Sequence, residues 1–95
     1  MKELRKRWDE FSALRFPRGC VELDPAGVCL ASTDSYAAGC ITTYLSQGFL
    51  DDERIQILKK CLSDLDRAVN ELEGDMRIYF ETLRSISREV LNNNK

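Results

Sequence analysis

Four cysteines, at positions 20, 29, 40 and 61, are the side chains best equipped for chemistry in this 95-residue chain, which contains no histidine. Without imidazole there is no histidine general base, no Ser-His or Cys-His pair and no His-ligated metal site. The cysteines lie 9, 11 and 21 residues apart, so no C-x-x-C turn can present two thiolates together. A zinc site would have to draw all four from distant positions. The reading preferred on spacing is four small buried apolar residues, with no metal and no organic cofactor. The remaining thiol chemistry would be redox sensing through an exposed Cys20 or Cys29.

The carboxylates are no better arranged for catalysis. Asp64 and Asp66, two apart on a helix, point about 200° away from one another. Asp51, Asp52 and Glu53 cluster, but acids at a helix start are explained by the helix dipole. The five glycines are scattered and form no phosphate-binding loop. No general acid–base pair and no nucleophile with a local activator is present, so a non-enzyme is expected.

Cations provide the sharpest asymmetry. The first 18 residues carry Lys2, Arg5, Lys6, Arg7, Arg15 and Arg18 against Glu3, Asp9 and Glu10, a local charge of +3 in a chain of net charge −2. Lys2, Arg5, Lys6 and Arg7, with Trp8 among them, form a candidate basic contact patch for phosphates or an acidic surface. The competing reading is a solvated helix face paired with its own acids, which an acidic chain overall favours. Nucleic-acid binding is therefore the alternative function and not the expected one. Arg77, Arg84 and Arg88, interleaved with Glu81, read as soluble surface.

These groups must be positioned by helices. Leu4, Trp8, Phe11 and Leu14 recur at helical spacing over residues 2–15, and Phe16-Pro17-Arg18-Gly19 stops that helix. Cys20–Leu23 and Val28–Leu30 flank Asp24-Pro25-Ala26-Gly27, a type I turn pattern that predicts a small β-hairpin. Thr33 or Asp34 can cap a second helix over residues 34–47, ended by Gly48. No charge stands between Asp34 and Asp51, so this helix is expected to be largely buried, its small Ala38 and Gly39 allowing close approach of another backbone.

From Ile55 to Val90, all eleven a- and d-type heptad positions are apolar. One uninterrupted helix of about 40 residues would be roughly 60 Å long. Glu73-Gly74-Asp75 instead predicts a break, with Gly74 ending one helix, 52–72, and Asp75 capping the next, 75–91. The expected fold is mainly α: one domain over 1–95, four helices, a C-terminal antiparallel αα-hairpin, a β-hairpin between the first two helices and a frayed tail at 92–95.

The charged stretch Met1–Trp8, with no apolar run after it, reads as neither a signal peptide nor a membrane span, so a cytoplasmic protein with reduced thiols is expected. Ile57, Ile78, Phe80 and Leu91 lie off the heptad seam as apolar surplus, a candidate interaction surface. The function expected is a non-catalytic protein-interaction module, an adaptor or small inhibitor or immunity-type protein. Its expected partners are a second copy of itself and another protein, with no membrane and no small-molecule substrate.

Overall fold

The computed structural model describes residues 2–14 and 27–94. These form four helices, α1 (Lys2–Ser12), α2 (Leu30–Gln47), α3 (Asp52–Ala68) and α4 (Gly74–Asn93), with a 3-10 turn over Val69–Glu71. The fold is mainly helical, and no strand occurs among the described residues. α4 is central, packing against α1, α2 and α3, while α2 also lies along α3.

The β-hairpin expectation is corrected where it can be compared. Its first arm, Cys20–Leu23, and most of its turn lie outside the described residues. Its second arm is not a strand: Val28 and Cys29 are irregular, and Leu30 opens α2. The reason is visible in the spacing. Leu30, Thr33, Ala37, Ile41 and Tyr44 share one helical stripe, and adding a turn at the start buries Leu30 completely. Val28 and Leu30 are both buried, as strand alternation also requires, so the local pattern suits either conformation and tertiary packing decides. The start of α2 consequently sits at Cys29, whose side chain makes no capping bond, and not at Thr33 or Asp34.

The other boundaries follow recognisable end signals. Gly48 closes α2 in the left-handed region (φ 83°), its N–H donating to the Tyr44 carbonyl at 2.7 Å. Asp51 caps α3, its Oδ1 accepting from the Arg54 N–H at 2.8 Å. That bond holds the Asp51 carboxyl below its ordinary range. α3 ends at Ala68, earlier than the predicted 72, because its last residues tighten into the 3-10 turn before Leu72 becomes extended.

The break expected at Gly74 is present. Gly74, at φ 61°, opens α4; Asp75 lies inside the first turn and is not the cap. The longest dimension of the molecule is 34 Å, far short of one continuous seam helix. The Leu50 N–H just before α3 donates to Asn94 Oδ1 just after α4 at 2.8 Å. The start of one helix thus meets the end of the other, an antiparallel pair. α4 runs through Asn93, past the point where a frayed tail is expected.

The core draws on every helix: Leu4 and Phe11 from α1, Ala37 and Ile41 from α2, Leu58 and Leu65 from α3, Phe80, Leu83, Ile86 and Val90 from α4. An aromatic run ties α1 to α4. Trp8 stacks on Phe11 (centroids 5.5 Å), Phe11 meets Tyr79 (4.6 Å) and Tyr79 sits edge-on to Phe80 (4.9 Å). Tyr79 then donates its hydroxyl to Asp34 Oδ1 on α2 at 2.9 Å. Burial raises the Asp34 carboxyl above its ordinary range, opposed by this bond.

Candidate functional site

The basic patch read from the sequence is taken apart by folding. Arg5 donates from Nη2 to the Leu45 carbonyl in the last turn of α2 at 2.7 Å, where helix polarity favours a cation. Arg7 donates to Glu89 Oε2 at 2.6 Å and to Ser85 Oγ at 2.9 Å, both on α4. Trp8 packs its ring against the core. Lys2 and Lys6 stand exposed, while Arg5, Arg7 and Trp8 serve to dock α1.

The four residues read as an interaction surface separate equally sharply. Phe80 is 0% exposed, in the centre of the core, which corrects its placement on the surface. Beside the heptad seam it meets the ring of Tyr79 edge-on and joins the buried cluster to which all four helices contribute. Leu91 is half-buried against the core. Ile78 is 64% exposed on α4. Ile57 is half-buried and faces α2, lining a concavity that does not include Ile78.

That concavity is where the described residues leave an apolar surface open. A cleft of about 480 Å³ lies between the start of α2 and the outer side of α3, lined by Val28, Cys29, Tyr36, Ile57, Cys61 and Arg67 among others. A shallower depression of about 240 Å³ continues it past Gly39 and Thr43 to Arg54, sharing Tyr36 and Ile57. Together they form one groove along both helices. Tyr36, on the helix expected to be largely buried, is 62% exposed on its wall. The uncharged run of α2 after Asp34 thus divides between a core-facing stripe and a groove-facing one carrying Ser35, Tyr36, Gly39 and Thr43.

Gly39 is the least economical residue of this wall. In the interior of a helix glycine costs about 1 kcal/mol relative to alanine. A Cβ at this position would meet nothing within 4 Å, and its φ is ordinary, so the chain's own packing does not require glycine there. Across the groove, α3 places cations on the rim. Asp64 holds Arg67 at 2.7 Å and Lys60 at 3.3 Å, two cations on one carboxylate. Arg54 pairs with Asp51 at 2.6 Å.

Thiol chemistry at this groove is muted. Burial pushes the Cys61 thiol up to about 11, with Cys40 and Asp64 adding to the effect. Burial also raises Cys40, whose Sγ lies 3.6 Å from the Arg54 carbonyl. Both are held protonated at neutral pH and are poor nucleophiles. Cys29 is exposed and donates from Sγ to Ser32 Oγ at 3.3 Å, while Cys20 lies outside the described residues. Among the described residues no group of three or more Cys, Asp or Glu is placed to hold a metal ion, and no helix is long and apolar enough to cross a membrane. Asp66 accepts from Arg88 at 3.2 Å and pairs with Arg84 at 3.5 Å, and Arg77 pairs with Glu81, so these arginines are surface ion pairs as read.

Sequence reasoning missed the groove residues Tyr36, Arg54, Lys60 and Arg67. The signal that pointed nearest was an uncharged helix with a mid-helix glycine. Comparison with protein-family models, with curated proteins and with solved structures finds no match.

Proposed function

We propose that this chain is a non-catalytic protein-interaction module that presents the α2–α3 groove to another protein. The observation that carries this reading is the groove itself, with Tyr36 exposed on its wall, Ile57 and Cys61 on its floor and charge confined to its rim. An apolar centre inside a polar rim, with an aromatic anchor, is the anatomy of a docking site. Burial moves two thiols of the groove, Cys40 and Cys61, away from reactivity, and its one lining carboxylate, Asp64, is held by cations.

Nucleic-acid binding through α1 is less well supported, since Arg5 and Arg7 are engaged by Leu45, Ser85 and Glu89. Self-association is less well supported too, because most of the heptad seam is buried within the chain. The test is a photo-crosslinking amino acid placed at Thr43 on the groove, or at Glu10 on the exposed side of α1, in living cells. Adducts to a second protein from position 43 and none from position 10 support the reading. Absence of adducts from position 43 refutes it, and adducts of twice the chain's mass restore the homodimer.

A further inference from the structure

We infer that the occupant of the α2–α3 groove is an amphipathic helix of a different protein, its apolar stripe flanked by acidic residues. The inference rests on the docking reading above and adds the class of partner. Three observations lead to it. Length and shape come first. The α2 wall runs from Ser32 to Thr43, about 16 Å or three helical turns. A groove between two helices accepts a third through anchors at i, i+4 and i+7. No sheet edge among the described residues offers pairing to an extended peptide.

Charge comes second. The lining carries Arg54, Lys60 and Arg67 against Asp64 alone, in a chain whose net charge is −2. Lys60 and Arg67 share Asp64, and Lys60 is 78% exposed at its side chain, so one cation of that pair is left for an external acid. The α2 residues that line the groove carry no charge, the acid of that helix, Asp34, being bonded to Tyr79 on α4. Carboxylates flanking an apolar stripe would therefore meet cations on α3 and no like charge on α2. A second copy docked groove to groove about a two-fold axis would offer these cations no spare carboxylate, since the one acid of its lining, Asp64, already holds two cations, which disfavours that occupant.

Gly39 is the third. It weakens α2 without serving the chain's own packing, whereas a missing side chain on a groove wall lets another helix backbone come close. Tyr36 and Thr43, about one turn to either side, then frame the crossing point.

The experiment uses the full ¹⁵N-labelled chain and two stapled three-turn peptides with leucine at i, i+4 and i+7. One carries glutamate on both flanks, and its twin carries lysine. The glutamate peptide is expected to bind about tenfold more tightly than the lysine twin. Its amide shifts should centre on Tyr36, Gly39, Thr43 and Ile57. Gly39→Leu should weaken it at least tenfold while leaving the melting temperature unchanged or higher, which separates a blocked groove from a damaged fold. The double variant Lys60→Glu, Arg67→Glu should reverse the preference. Equal affinity for the two peptides, or shifts centred away from the groove, overturns the inference. If neither peptide binds while position 43 still crosslinks a protein in cells, the partner class is wrong and the docking reading stands. If both fail, both are refuted.

Discussion

The α1–α4 contact and the α2–α3 groove are made of similar material and end in opposite states. Each sets aromatic and aliphatic side chains beside arginines and lysines. Against α4, Trp8 stacks on Phe11 and Phe11 meets Tyr79, while Arg7 finds Glu89 and Ser85 within the chain. Along the groove, Tyr36 is left in solvent and two cations share Asp64. A cluster of cations in a sequence is therefore not a charged surface until the fold has assigned its acceptors. Two of the four cations in the strongest basic cluster, Arg5 and Arg7, are spent on holding α1, while a weaker cluster, dispersed over α3, stays on a groove rim.

Replacing aromatic side chains on the two faces should separate them most clearly. Phe80→Ala removes a fully buried ring and is expected to cost about 3–5 kcal/mol, because little in a packed core can collapse into the space. Tyr36→Ala, on the groove wall, should change stability by about 0.5 kcal/mol or less. Urea denaturation of the two variants measures the contrast directly. A small loss for Phe80→Ala would mean that α4 is not packed as described. A loss above about 2 kcal/mol for Tyr36→Ala would mean that the groove is already filled in the isolated protein.

The glycines sharpen the same contrast with effects of opposite sign. Gly74 sits at φ 61° in the turn into α4, and a side chain there is strained even though the space is open. Gly74→Ala should destabilise by about 1 kcal/mol. Gly39→Ala adds a methyl in open space on a regular helix and should stabilise by about 0.5–1 kcal/mol. Thermal melts of the pair suffice, since roughly 1 kcal/mol shifts a domain of this size by about 4–8 °C. Destabilisation by Gly39→Ala would show that the position is packed and would remove one support for the groove.

How much of this could be read from residue types follows from the range over which each signal acts. The four helices, the Gly48 stop, the acids opening α3 and the Gly74 break rest on spacings of three to seven residues, and all appear in the fold. The beginning of α2 was not legible, because Val28 and Leu30 suit a strand and a helix equally and only contacts with the other helices decide. Phe80 was misplaced for a related reason. Its heptad position puts it beside the seam, and nothing local reveals that packing of the four helices will enclose it completely. The groove was invisible because it joins α2 to α3 at positions whose residues, taken singly, read as solvated surface.

Arg7 gives a smaller and more local test of the closed face. Its pair with Glu89 is a surface pair, with side chains 42% and 38% exposed. Arg7→Ala should therefore cost only about 0.5–1 kcal/mol. The hydrogen bond to Ser85 places it toward the upper end, and the effect should shrink in high salt. Hydrogen exchange should localise the loss to α1, whose amides would open more readily while those of α3 keep their protection. Uniform loss of protection would imply that α1 is an inseparable part of the core.

The subtlest effect is on pH dependence, where Asp34 and Asp51 act with opposite sign. Asp34 is half-buried under Tyr79, and burial raises its folded carboxyl above the ordinary 3.8 despite the bond from the Tyr79 hydroxyl. The folded state therefore binds this proton more tightly than the unfolded chain. Stability falls as pH rises from about 3.8 through the raised value and then stays level. Asp51 is exposed and lowered by the Arg54 backbone bond, so its contribution is present above 3.8 and is lost as pH falls through the lowered value. Asp34→Asn keeps an oxygen that can accept from Tyr79 and removes the charge. It should gain on the native chain between pH 3 and pH 7, as the native carboxyl ionises at a cost the amide does not share. Asp51→Ala should show the reverse, destabilising at pH 7 and losing its effect toward pH 2 as the native carboxylate is neutralised. Denaturant midpoints for both variants at pH 2, 3, 5 and 7 measure these trends. An Asp34→Asn difference that does not change with pH would show that the carboxylate is hydrated, and that the Tyr79 bond is not the buried link joining α4 to α2.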